Sequence, residues 1–138
     1  MSTSGENVPR PVDNFLTCGL GPIITENVKL AHYSVPTPVQ KWAVPIIHAG
    51  RDIMSCAQTG SGKTAAFLMP MLRFVEKYIL KISTIFKHSQ IFHNPGKMST
   101  RTRKAYPLAL VLSPTRELTL QIYKEACKFA YRSNLKVN

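Results

Sequence analysis

The sequence predicts an α/β fold in which a parallel sheet is flanked by helices, and three observations predict it. A short, mostly apolar run at residues 52–56 leads through a glycine-rich segment into a stretch with helical spacing at 63–80. A continuous apolar run at 107–113 leads in turn into an amphipathic stretch at 115–130. The order strand, loop, helix, connection, strand, helix is the one that builds a parallel sheet. A chain of 138 residues supplies one domain at most, with one hydrophobic core.

Taken in order, residues 1–14 read as a polar tail with Pro9 and Pro11 and little periodicity. Phe15, Leu16 and Leu20 begin the apolar content. Thr25 and Glu26 lead into a short helix over 27–33, with Val28 and Leu30 as its apolar contacts. Pro36 and Pro38 break it, because each fixes φ and removes a donor. Pro38 suits the first turn of a new helix with Thr37 as N-cap. That helix runs to about Ala49, with Val39, Trp42, Ala43, Ile46 and Ile47 at helical spacing and Gly50 as its stop. Pro45 predicts a kink within it.

Residues 52–56 read as a buried strand. Over 63–80, Phe67, Leu68, Met71, Leu72, Val75 and Ile79 form one helical face, with a bend at Pro70. Residues 81–104 carry six Lys or Arg and no acid. They read as a long connection, and part of it is expected to be helical because structureless loops of that length are uncommon in compact domains. A solvated variable loop is the plainer reading of its charge, an RNA grip the other. Residues 107–113 form the second buried strand. Leu118, Ile122, Ala126 and Phe129 share a face of the last helix.

Composition narrows the chemistry. Eighteen Lys and Arg against seven Asp and Glu give a net charge of +11, which favours an anionic partner. Cys18, Cys56 and Cys127 are odd in number and widely spaced, so they suggest reduced thiols rather than disulfides or a zinc knuckle. His32, His48, His88 and His93 lack metal-ligand spacing. No apolar run is long enough to span a membrane, and the N-terminus lacks the apolar core of a secretory signal.

The sharpest feature is Ala57-Gln58-Thr59-Gly60-Ser61-Gly62-Lys63-Thr64, a P-loop between the first strand and the long helix. Gly60 and Gly62 let the backbone curl so that successive N–H groups face inward. With the positive end of the following helix they make an anion site. Lys63 is expected to reach the β- and γ-phosphates of a nucleoside triphosphate, and the Thr64 hydroxyl to be a Mg²⁺ ligand. Ala57 stands where the strict pattern has Gly.

Three segments together resemble the DEAD-box family of RNA helicases. Phe15, followed 17 positions later by His32-Tyr33-Ser34-Val35-Pro36-Thr37-Pro38-Val39-Gln40, is similar to the family's Q motif (residues 15–41). Residues 57–64 match its form of the P-loop, Ala57 included. Pro114-Thr115-Arg116-Glu117-Leu118-Thr119-Leu120-Gln121 resembles its motif Ia (residues 114–121). The wording of 50–56, 113–118 and 128–131 resembles the Vasa-like subgroup. His32 departs from the usual Gly and Thr119 from the usual Ala.

The resemblance implies a partial, truncated RecA-like P-loop NTPase domain over 15–138, behind a flexible tail at 1–14. ATP and Mg²⁺ are the implied cofactors. Gln40 would read the adenine edge with an amide that both donates and accepts, the logic of base readout in DNA. Phe15 and Tyr33 would pack on the ring. Pro114, Thr115 and Arg116 would contact RNA phosphates and sugars without sequence choice. Plainer readings stay open: Phe15 as core, Tyr33 as a surface aromatic, Thr37 as a cap only, and Arg116 as the partner of a nearby acid. The family's Asp-Glu-Ala-Asp and Ser-Ala-Thr motifs do not occur in these residues. The expectation is therefore an RNA-stimulated ATPase and helicase represented by a fragment that is inactive alone, or a non-catalytic nucleotide- or RNA-binding module. The implied location is cytoplasmic, in ribonucleoprotein granules, or nuclear.

Overall fold

The computed structural model describes residues 3–89 and 107–138 of the chain, with side chains excepted over 83–89. Four helices make up its regular structure: α1 (Pro22–Leu30), α2 (Pro38–His48), α3 (Lys63–Ser89) and α4 (Arg116–Phe129). α2 and α4 pack on α3, and α1 packs against α4 and α3.

α1 begins earlier than the sequence suggests. Pro22 occupies its first turn, where a missing N–H costs nothing, and Gly21 precedes it with φ 81°. A Cβ on Gly21 would lie 2.5 Å from Arg73 Nη1. Glycine therefore lets the Arg73 guanidinium lie close beneath the start of α1, where it pairs with Glu76 at 2.6 Å. Residues 31–33, expected to be helical, instead close a Schellman turn. The Tyr33 N–H donates to Val28 O at 3.0 Å and the His32 N–H to Lys29 O at 2.9 Å. His32 takes φ 64°, the left-handed conformation that glycine adopts without strain.

α2 is the helix expected from Thr37, Pro38 and Gly50, to within a residue. Pro45 has no N–H for the Lys41 carbonyl, and the Val12 N–H fills that role at 3.0 Å. Lys41 also pairs with Asp13 at 2.9 Å, and Arg51 donates to Asn7 O at 2.6 Å. Part of the segment read as a tail is thus held against α2. α3 continues past residue 80 to Ser89, in line with a partly helical connection. The remainder of that connection, 90–104, lies outside the described residues.

The core forms where the arm, α1, α3 and α4 meet: Phe15, Leu20, Ile24, Val28, Leu68, Met69 and Phe129 are buried. Asn27 is buried with them and donates to Phe129 O at 2.8 Å and Tyr131 O at 2.6 Å. This polar bridge joins the C-terminal ends of α1 and α4. The Cys18 thiol is buried too, and burial pushes its pKa up to about 11. All three cysteines are free.

The two buried strands are not formed. No strand occurs among the described residues, and 52–56 and 107–113 run without regular structure. Met54 is 92% and Leu112 84% exposed. The two segments line one cleft rather than a shared ladder. Backbone without a neighbouring strand has no ladder bonds to make, so apolar composition alone does not produce a strand here.

His48, the last residue of α2, lies 3.3 Å through Nε2 from Lys77 Nζ. Burial, then Lys77 and Arg73, lower its pKa below the ordinary 6.5. The folded state therefore binds fewer protons there than the unfolded chain, and the associated stability is complete above about pH 6.5 and lost as pH falls through the lowered value. Two outcomes are expected. Urea unfolding at stepped pH shows stability declining below about 6.5, and His48→Asn flattens the first part of that decline. His32→Gly relieves the left-handed strain and raises stability by about 1 kcal/mol in the same assay.

Candidate functional site

The site is built around the entry to α3. Ala57 is half-buried, Gln58, Thr59 and Gly60 are exposed, and Ser61 through Thr64 are half-buried. The Ser61 N–H donates to Gln58 O at 3.2 Å, which closes the turn. The Ala66 N–H bonds back to Gly62 O at 3.0 Å. The N–H groups just before Ala66 are those a helix start leaves without intrahelical acceptors. They add to the positive end of the dipole, so the loop's geometry suits an anion.

Lys63 is turned back on the loop. Its ammonium donates to the carbonyls of Ala57 and Gln58, the latter at 2.7 Å. Thr64 follows on the first turn of α3 and, with Lys63, faces the cleft described below.

Gln40 joins α2 to this loop. Its side chain is fully buried. Nε2 donates to Gly62 O at 3.2 Å, and Oε1 accepts from the Thr37 N–H at 3.0 Å. The second bond is half of a capping box at the start of α2. Gly62 has φ 89°, and a Cβ there would lie 2.5 Å from Gln40 Nε2 and 3.1 Å from Thr37 Oγ1. Close approach, as well as conformation, therefore demands glycine at 62. The Thr37 and Ser61 hydroxyl oxygens are buried there without a full-strength partner. Such orphaned groups beside an anion-suited loop fit a polar ligand.

Phe15 and Tyr33 are placed differently. Phe15 is core, and its ring meets Tyr33 edge-on at 6.3 Å. Tyr33 also packs on Phe129 at 5.5 Å and donates its hydroxyl to Glu125 Oε1 at 2.6 Å. Burial and the Glu125 carboxylate push the tyrosine's pKa upward. Burial alone would raise the Glu125 pKa, but hydrogen bonds from Lys128 and Tyr33 hold it below the ordinary value. Lys128 Nζ lies 2.7 Å from Glu125 Oε2.

The third expected segment caps α4. Thr115 Oγ1 accepts from the Leu118 N–H at 3.3 Å. Thr119 donates to Thr115 O at 2.9 Å and its hydroxyl touches that of Ser113, contacts an alanine there would lack. Arg116 is exposed and makes no ion pair among the described residues, so pairing with Glu117 is not its role. An apolar cleft of about 370 Å³ has Lys63, Thr64, Ser113 and Pro114 along it, with Ala43 and Phe67 among its walls. The start of α3 and the approach to α4 thus share one cleft.

Sequence reasoning missed Asn27 and Glu125, which carry the long-range polar contacts. Asn27 lies in a predicted helix with no signal of burial. Glu125, three residues before Lys128, reads as an ordinary surface pair.

A helix entered through a braced glycine-rich turn thus faces a second capped helix entry. The model of the DEAD/DEAH box helicase family matches residues 37–138. The chain belongs to that family. Among solved structures it is similar to the RNA helicase Prp28 from Chaetomium thermophilum bound to ADP, with 37% identity and TM-score 0.69 over 91% of this chain and 26% of that one. It is also similar to the yeast DEAD-box splicing factor Prp28, with 30% identity and TM-score 0.65 over 96% of this chain and 28% of that one. A Saccharomyces cerevisiae Dbp5 variant bound to a Gle1 variant and IP6 shares the fold at 23% identity and TM-score 0.66, over 92% and 27%. The chain spans about a quarter of the length of these structures.

Gly62→Ala is expected to displace the Gln40 amide and cost about 2 kcal/mol of stability, from left-handed strain plus a lost buried hydrogen bond, as read by urea unfolding.

Proposed function

We propose that this chain is the nucleotide-holding part of an ATP-dependent RNA helicase of DEAD-box type, and that it binds ATP with Mg²⁺ at residues 57–64. The observation that carries the reading is the glycine-rich helix entry locked to Gln40, in a chain whose family is established. On binding, Lys63 exchanges its two carbonyl acceptors for phosphate oxygens, which form stronger charge-assisted bonds. The N–H groups of Gly60, Gly62, Lys63 and Thr64 hold further phosphate oxygens. Thr64 would hold Mg²⁺ through its hydroxyl, and the ion would offset phosphate charge. The orphaned Thr37 and Ser61 hydroxyls supply polar groups that a nucleotide would satisfy.

Adenine recognition falls to Gln40 in this reading, although both ends of its amide are engaged. Each end keeps one further site, a second N–H on Nε2 and a second lone pair on Oε1, so reading a base requires that the buried amide be uncovered. Pro114, which lines the cleft, and the adjoining Thr115 and exposed Arg116 take RNA backbone, and the net charge of +11 favours that polyanion. Unwinding belongs to a whole helicase, of which the chain has the length of about a quarter. The Vasa-like subgroup is part of the proposal and rests on the wording of residues 50–56, 113–118 and 128–131.

Titration with a fluorescent ATP analogue in Mg²⁺ buffer tests the site. Lys63→Ala is expected to weaken binding by about tenfold or more, the loss of a charge-assisted contact. Unchanged affinity contradicts the assignment. Gln40→Ala is expected to reduce the preference for ATP over GTP. A fall in affinity for both nucleotides by the same factor would leave Gln40 as a loop brace only.

A further inference from the structure

The Tyr33–Glu125 hydrogen bond spans 92 residues and ends at neither expected ligand. We propose that Tyr33 and Glu125 form a positioning pair that couples the phosphate loop to α4, so that nucleotide binding is felt at the helix start that carries Arg116. The inference rests on the nucleotide-site reading above.

The connection is continuous. Gly62 O lies in the same loop as the Ala57 and Gln58 carbonyls that Lys63 holds, and that oxygen accepts from Gln40 Nε2 at 3.2 Å. Gln40 Oε1 holds the Thr37 N–H. From Thr37 back to Tyr33 the chain has three residues, the last of them the buried Pro36, and Pro38 follows, so little slack lies between the two ends. Tyr33 is fixed on its other side by the Schellman turn to Val28 O. Its hydroxyl then grips Glu125 Oε1 at 2.6 Å, while Lys128 steadies the other carboxylate oxygen at 2.7 Å. Glu125 sits nine residues beyond Arg116 on one unbroken helix, about 14 Å along its axis, and a helix moves as a body over that distance.

A packing contact alone would not need this bond. The Tyr33 ring already meets Phe15 and Phe129, and phenylalanine would keep both contacts. What the hydroxyl adds is a directional, charge-assisted tie between two elements. Coupling of this kind is reciprocal: a nucleotide that repositions α4 is bound more tightly when RNA holds α4 in the same place.

Hydrogen–deuterium exchange over residues 115–121 of the intact 138-residue chain, with and without an Mg²⁺-bound non-hydrolysable ATP analogue, tests the pair. In the native chain the nucleotide is expected to change exchange there by about fivefold, the scale of a modest coupling energy. Glu125→Ala is expected to bind the analogue as the native chain does and to lose that change. Tyr33→Phe is also expected to lose it. Glu125→Gln keeps an acceptor oxygen for the Tyr33 hydroxyl and is expected to retain it, which a purely structural role for the carboxylate would not produce. The full change persisting in both Glu125→Ala and Tyr33→Phe overturns the inference. So does a native chain that binds the analogue without change at 115–121, a result that leaves the nucleotide site standing. A native chain that binds no analogue overturns both.

Discussion

The structure depends on one buried amide. Gln40 is fully out of water, and an unmet buried amide costs about 1–3 kcal/mol, so both of its ends must be answered. They are answered by the Thr37 N–H at the head of α2 and by the Gly62 carbonyl at the head of α3. One side chain thereby sets where two helix starts lie relative to each other. It also dictates its neighbour, since a Cβ at 62 would intrude on Nε2. The loop's backbone is held from behind by α2, and its free N–H groups are left to the front.

A second set of polar ties organises the opposite end. Asn27 bridges the C-terminal ends of α1 and α4, and Tyr33 reaches Glu125 within α4. The Schellman turn after α1 leaves His32 in strained backbone and puts Tyr33 where its ring and hydroxyl both find partners. Between these ends lies the apolar cleft, flanked by the irregular segments 52–56 and 107–113. Helices carry their backbone hydrogen bonds within themselves, whereas these two segments would need neighbours.

That difference explains what was legible in the sequence. Thr37-Pro38 and Gly50 bound α2, and Thr115 begins α4, because caps and stops are local chemistry. The P-loop reading draws on the same local chemistry, the backbone freedom of Gly60 and Gly62 and the charge of Lys63, and its ligand belongs to the proposal. Pro22 is the helix-start signal of α1, while the apolar spacing of Val28 and Leu30 marks only its later part. The strand readings at 52–56 and 107–113 rest on the composition around Ile53 and Leu112, whereas a strand requires a partner elsewhere, and none occurs among the described residues. Phe15 resolves to core. Tyr33 has its hydroxyl committed to Glu125, a partner distant in sequence that no local pattern announces. Family membership follows from residues 37–138.

The most direct measurement is an NMR titration of the isotope-labelled chain with Mg²⁺ and ATP. The account predicts saturable shifts of the Gly60, Gly62, Lys63 and Thr64 amide resonances, with the Gln40 side-chain amide pair moving along the same binding curve. Loop amides that stay in place, or a Gln40 side chain indifferent to a nucleotide that binds elsewhere, would contradict it.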